Sequence, residues 1–320
     1  MKYISTTLLI LLFIVITQYS TAQVSNYGFT EKPVTHKVKP AYAAESAVIL
    51  EDERVHEFKN DEKNEIAIYV FNRRLIKVND DKGVEMYNKI FIYLPGSAEV
   101  IEVKARTIQP NGTVVNLPAT KIFDEEEEGK RYKKFALEGI EKGSEIEYFV
   151  RFKKEITTFG LEMYQSSTTP FEKASFSLIV PDHLVFAVKG YNGFNTTTDT
   201  LQNGKRIITA NEENIEAIHE EKYASAIPYN INIQYKLSYN LDKDKNVRLY
   251  TWNELAKNVY NNYNSFTDSE VKVISNFFKQ VKLDEKAAEE DKIIAIEDFI
   301  KTNINTDGNA ISDDADKIEK

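Results

Sequence analysis

Residues 99–115 read E-V-I-E-V-K-A-R-T-I-Q-P-N-G-T-V-V. Val100, Ile101, Val103, Ala105 and Ile108 alternate with Glu102, Lys104 and Arg106 at close to the period of two of a half-buried strand. Pro110-Asn111-Gly112 then supplies a turn, since Pro presets its own φ and Asn-Gly accepts positive φ. Val114 and Val115 restart an extended run. An echo covers residues 134–149: a turn at Glu141-Lys142-Gly143-Ser144, then Ile146, Tyr148, Val150 and Phe152 alternating with Glu145, Glu147, Phe149 and Arg151. Both stretches predict antiparallel β structure. Neither carries a nucleophile, a general base or a ligand cluster.

Working outward, short runs rich in β-branched and aromatic residues recur between turn clusters. They include residues 47–50, 66–71, 73–78, 87–94, 176–180, 184–188 and 207–210. That rhythm predicts a β-sandwich. Asn79-Asp80-Asp81-Lys82-Gly83 reads as a break between strands, and Asn203-Gly204 as a hairpin turn. Residues 231–239 give the cleanest alternation, with Ile231, Ile233, Tyr235, Leu237 and Tyr239 on one face. They read as the last strand. The pattern then becomes helical. Thr251-Trp252-Asn253-Glu254 and Thr267-Asp268-Ser269-Glu270 are capping boxes. Leu255, Val259 and Tyr263 keep helical spacing behind the first, and Val271, Ile274, Phe278 and Val281 behind the second. A third helix is expected to open at Asp284 and to carry Ile293, Ile296, Phe299 and Ile300. The fold class is therefore mainly β then α: an antiparallel sandwich over 47–242 and a short, incomplete helical segment over 246–320. Residues 23–46, with Pro33 and Pro40, read as a linker or an edge strand.

Residues 1–22 are expected to be a cleaved signal peptide. Lys2 starts them, residues 8–16 are apolar, and Ser20 and Ala22 suit a signal peptidase that leaves Gln23 first. The apolar run falls short of the roughly 20 residues of a span. The mature protein is thus expected to be exported, periplasmic or secreted, with no membrane span. The chain has 0 Cys, which removes a lipoprotein anchor, disulfides and thiolate chemistry. A net charge of -9 argues against nucleic acid and anionic lipid as partners.

Candidate chemistry is sparse. His36, His56, His183 and His219 are scattered and read as solvated or structural. The acidic run 124–128 precedes Lys130, Arg131, Lys133 and Lys134, and reads as a solvated loop with two offsetting charge blocks. Residues 303–314 fit the spacing of a twelve-residue Ca²⁺ loop. Asn303 stands first and Asp314 last, where a strong site has Asp and Glu, so a polar turn is the reading. No phosphate loop, serine elbow or zinc motif occurs. The expectation is no cofactor, no metal and no catalytic residue, with the binding residues open.

Arg106-Thr107-Ile108 with Pro110 and Gly112, Phe135 with Gly139, Lys142-Gly143-Ser144 and Ile146-Glu147-Tyr148 together resemble the bacterial domain of unknown function 3857. The turn at residues 79–83 with Glu85 fits it too, so the resemblance covers residues 47–225. Such domains are found on exported proteins ahead of a transglutaminase-like domain. Residues 252–304, above all I-I-A-I-E-D-F-I-K-T-N-I, look like the opening helices of that second fold. The resemblance implies a scaffold or binding module of unassigned activity whose partners are the remainder of a transglutaminase-like domain and a cell-envelope peptide or glycan. One alternative is the front part of a cysteine-type peptidase or acyltransferase with its catalytic residues beyond residue 320. Another, suggested by the many Tyr and Phe, is a carbohydrate-binding sandwich. The absence of a cap after Asp313 leads to the expectation that the helical domain is cut short.

Overall fold

The computed structural model describes residues 24, 27–194, 196–218, 225, 227–243, 247–281, 283–284 and 286–303. The signal-peptide, His219 and calcium-loop readings lie outside these residues, Asn303 excepted. The chain divides into two compact units, Met1–Leu249 and Tyr250–Lys320.

Fourteen strands are described in the first unit: β1 (Ala47–Asn60), β2 (Ile66–Val78), β3 (Lys89–Leu94), β4 (Glu99–Ile108), β5 (Val114–Asn116), β6 (Phe123–Glu127), β7 (Lys130–Ala136), β8 (Glu145–Lys154), β9 (Phe159–Met163), β10 (Phe171–Pro181), β11 (Leu184–Tyr191), β12 (Thr196–Gln202), β13 (Lys205–Ile215) and β14 (Asn232–Asn240). They form one eight-stranded sheet, ordered β12-β13-β10-β1-β2-β8-β4-β5, and two three-stranded sheets, β11-β14-β9 and β3-β7-β6. The fold is mainly β and then α, as the sequence predicts. One pair departs from antiparallel order: β1 runs parallel to β10. Parallel neighbours need a long crossover, and eight strands separate these two in sequence.

One hydrophobic core joins all three sheets, through Ile90, Ile92 and Phe135 from one small sheet and Phe186 and Tyr235 from the other. Phe58 of β1 meets Phe186 at 5.0 Å, and Tyr148 of β8 meets Phe135 at 6.0 Å. The two small sheets therefore share the inner face of the large one. Along β8 both faces are buried: Ile146, Val150 and Phe152 point to this core, while Phe149 packs with Phe71 and Val55 on the outer face. Burying such side chains contributes about 1.5–3 kcal/mol each.

Residues 27–46 contain no strand and lie over that outer face. Tyr27 and Phe29 pack on Phe71 and Phe149. Backbone N–H groups donate to carboxylates of the sheet, Val24 N to Glu57 at 2.9 Å and Lys39 N to Glu172 at 2.7 Å.

The hairpin at Asn203-Gly204 forms as expected, with both φ values positive (52° and 71°). The break at residues 79–83 becomes a helix, α1 (Asp81–Tyr87), whose N-cap Asp80 accepts from Gly83 N. Seven residues with a glycine in the third place carry too little helical pattern to be read from sequence. Gly83 is there for space. A Cβ on it would sit 2.0 Å from the carbonyl oxygen of Ser46. Gly83→Ala is expected to cost about 1–3 kcal/mol, as overpacking does, measurable as a lower urea midpoint; an unchanged midpoint refutes the close fit.

The described part of the second unit holds α2 (Trp252–Asn264), α3 (Asp268–Phe278) and α4 (Glu289–Asn303). Both predicted capping boxes are present, at Thr251 and Thr267. The third helix begins at Glu289 rather than Asp284, because the Asp284 side chain accepts from Lys286 N and closes a turn. Phe277 and Phe299 join α3 to α4 at 5.1 Å.

Candidate functional site

The inner face of β1 changes character halfway along. Ala47 and Ile49 point to the core. A register shift between Ile49 and Glu51 then inserts one residue into the strand. Beyond it the even-numbered residues point inward, so Asp52, Arg54 and His56 occupy core-facing positions before Phe58 restores an apolar one. Opposite them on β2 stand Arg74 and Asn72, paired in register with Asp52 and Arg54. In sequence, Glu51-Asp52-Glu53-Arg54 reads as a charged interruption, because the eye has no bulge to correct for. The period-two series Asp52, Arg54, His56, Phe58 was the signal available.

These groups are wired to one another. Arg54 Nε donates to Asp52 Oδ1 at 2.9 Å, and its Nη1 donates to Glu162 of β9 at 2.8 Å. Arg74 Nε donates to Asp52 Oδ2 at 2.9 Å, and Arg74 Nη2 bonds the same oxygen. The Arg54 guanidinium lies over the Tyr164 ring, 4.1 Å from its centre. His56 Nδ1 is 3.0 Å from the Tyr235 hydroxyl and Nε2 is 3.4 Å from Glu162 Oε1. A neutral imidazole with its proton on Nε2 satisfies both contacts.

Electrostatics follow from burial and these pairs. Burial pushes the Asp52 carboxyl up, but Arg54 and Arg74 outweigh it and hold the group at about 2. Burial drives His56 down to about 4, against the pull of Glu162 and with help from Lys154 and Arg54. Burial would raise Glu162, yet His56 and Arg54 bring it below the ordinary value. Near neutral pH the imidazole is thus uncharged, and Asp52, Glu162, Arg54 and Arg74 carry charges that cancel.

A cleft of about 190 Å³ opens onto this cluster, lined by Asp52, Arg54, Asn72, Arg74, Tyr148 and the β3 residues Phe91 to Tyr93 among others. Asn72 Oδ1 is buried there without a hydrogen-bond partner. The Arg74 hydrogen bonds run through Nε and Nη2, which leaves Nη1 without a partner among the described residues. The site can therefore offer one acceptor and one donor.

The other candidates resolve as structure. The acidic run is a strand, not a loop: β6 pairs with β7, and Asp124 meets Lys133 at 2.7 Å and Glu125 meets Lys134 at 3.0 Å. Beside it lies a larger cleft of about 800 Å³, lined by Glu99, Asp124, Glu126 and Arg131 among others. On the outer face Glu147 is held by Arg73 at 2.6 Å and by Arg106 at 2.5 Å. His36 binds Glu145 at 2.9 Å and His183 stands 3.5 Å from Asp242. Among the described residues no group of three or more His, Asp or Glu could hold a metal ion, and no helix is long and apolar enough to cross a membrane.

Residues 67–219 match a family described as a domain of unknown function with solved structure, DUF3857. No curated protein matches the chain in sequence. Among solved structures, a "putative protease" from Parabacteroides distasonis is similar at 15% identity and a TM-score of 0.58, over 81% of this chain and 51% of that one. The chain thus spans about half the length of that protein, and the likeness is one of fold. An M1 zinc metallopeptidase from Deinococcus radiodurans aligns at 8% identity and a TM-score of 0.34, over 60% of this chain and 42% of that one.

Proposed function

We propose that the β unit is an exported, non-catalytic binding module that positions cell-envelope peptide or glycan for an attached transglutaminase-like domain. One observation carries the reading: the charged groups at the cleft are committed to each other. Arg54 spans Asp52 and Glu162 and ties β1 to β9. A general base needs a free lone pair within reach of substrate. Here the His56 nitrogens face Tyr235 and Glu162, and Asp52 is shared by two guanidiniums. This is the wiring of a rigid platform.

A second reading rests on the Parabacteroides distasonis neighbour, described as a protease and twice as long as the matched region. In it this chain is the front part of a cysteine-type peptidase or acyltransferase whose reactive groups follow residue 320. Both readings leave this chain without reactive groups, so one assay tests what they share, and a Cys on the first helix after residue 320 with later His and Asp would favour the second. The purified chain is expected to release no ammonia from a glutamine peptide and to incorporate no amine into it. Turnover by this chain overturns the non-catalytic reading. Export is checked by N-terminal sequencing of periplasmic protein: Gln23 is expected first, and a retained Met1 refutes cleavage.

A further inference from the structure

The layer over the inner face is interrupted. The β3-β7-β6 sheet ends at β3, and the β11-β14-β9 sheet ends at β9. Sheet β11-β14-β9 packs with β11 beside β12 and β13, so β9 lies toward β1, where Glu162 takes Arg54. From the other side, β3 lines the cleft that contains Arg54 and Arg74. The two sheet ends thus border the same strip of β1 and β2.

Among the described residues both ends are open edges. In an antiparallel strand the N–H and C=O of one residue point the same way, and successive residues alternate. Leu137 N donates to Asn88 O at 3.0 Å. Ile90, Ile92 and Leu94 therefore direct their backbone groups at β7, and Phe91 and Tyr93 direct theirs away. Leu237 N donates to Thr158 O at 2.7 Å and Tyr164 N to Ile231 O at 2.9 Å. Gly160 and Glu162 accordingly face β14, and Phe159, Leu161 and Met163 turn outward to the edge. The same five outward residues have side chains close to or above half exposed.

Proteins normally blunt such edges with proline, lysine or an inward charge. Neither strand contains proline, and the one lysine, Lys89, stands at the very start of β3. The inward charge on β9, Glu162, is neutralised by Arg54 and presents no unpaired repulsion to an incoming strand. The cleft is also smaller than the roughly 300–1,000 Å³ that holds a drug-sized ligand, so a single extended backbone suits it better than a cofactor.

We infer that this cleft takes an extended polypeptide segment of another protein, added as a strand along the edges of β3 and β9, with a carboxamide side chain turned down onto Arg74 and Asn72. The inference rests on the binding-module reading and names its ligand. A guest strand alternates its side chains. Those facing out lie beside Phe91 and Tyr93 or Leu161 and Met163, which favours apolar residues there. Those facing in meet a floor whose charges already cancel. A guest cation or carboxylate would be buried without a counter-charge. A carboxamide instead presents an oxygen to Arg74 Nη1 and an N–H to Asn72 Oδ1, and satisfies both.

The test uses the full chain and a fluorescein-labelled hexapeptide alternating valine with glutamine, followed by fluorescence anisotropy. Phe91→Pro and Leu161→Pro each remove an edge N–H that makes no ladder bond, a place where proline is tolerated; unchanged circular dichroism confirms the fold. Saturable binding is expected, weakened about tenfold or more by either proline and by replacing the glutamines with lysine. No saturation up to about 1 mM peptide overturns the proposal. Equal binding of both peptides, or binding indifferent to both prolines, also overturns it and leaves the binding-module reading standing. A dimer of the chain that the prolines abolish would assign these edges to a second copy, and overturns the proposal too. Hydrolysis of the peptide would sink both readings together.

Discussion

Replacing Arg54 with methionine is expected to lower the unfolding free energy of the β unit by about 3–5 kcal/mol, the cost of breaking a buried ion network on one side only. Methionine fills much of the same volume, so the loss is electrostatic. Asp52 would keep Arg74, but Glu162 would lose its hydrogen-bonded cation and keep a neutral His56 at 3.4 Å and the more distant charge of Lys154. The Glu162 side chain is 17% exposed and that of Asp52 3%, so water relieves neither fully. Adding Glu162→Gln to the Arg54 variant should restore part of the loss, since the charge left unpaired is then gone. A double-mutant cycle is expected to give a coupling on the order of 1–3 kcal/mol. The readout must be circular dichroism of the sheet. The chain has 1 Trp, Trp252, and it lies in the other unit, so its fluorescence reports the helices. A single-variant loss below about 1 kcal/mol, the value of exposed pairs, would show that the cluster is open to solvent and would remove the platform argument.

The elements that the sequence discloses and those it hides differ for physical reasons. The Asn203-Gly204 hairpin, β14 and the two capping boxes are local devices: a few adjacent residues carry the whole signal. The start of α4 lies five residues past Asp284, because Asp284 can cap a turn as well as a helix. The cleft was invisible for a different reason. Its lining comes from β1, β2, β3 and β8, with Glu162 of β9 bonded to Arg54 behind it, and no spacing within one strand announces that they meet. The bulge after Ile49 makes it harder still. It shifts which residues face inward, so Asp52, Arg54 and His56 look like solvent-facing charges beside an apolar run. The parallel pairing of β1 with β10 is equally non-local, since both strands alternate in the same way in either direction.

The same burial that hides His56 from sequence makes it the group most sensitive to acid. The folded chain keeps its imidazole neutral down to about pH 4, whereas the ordinary value is 6.5. Below 6.5 the unfolded chain therefore binds a proton that the folded chain refuses. Stability from this group is complete above pH 6.5, falls as the pH drops, and is gone below about 4. The interval is worth on the order of 3 kcal/mol at 1.36 kcal/mol per pH unit. His56→Gln, which keeps a hydrogen-bonding side chain and cannot titrate, is expected to flatten that part of the profile in urea unfolding followed by circular dichroism. The window separates His56 from its neighbours. Asp52 loses its contribution only between its ordinary 3.8 and about 2, and the lowered Glu162 acts below its ordinary 4.5. Between pH 6.5 and 4.5 these carboxylates are silent. A slope there that survives the glutamine variant would mean that His56 already carries its proton in the fold. Glu162 would then hold two cations, and the charge balance on which the choice of a carboxamide guest depends would be wrong.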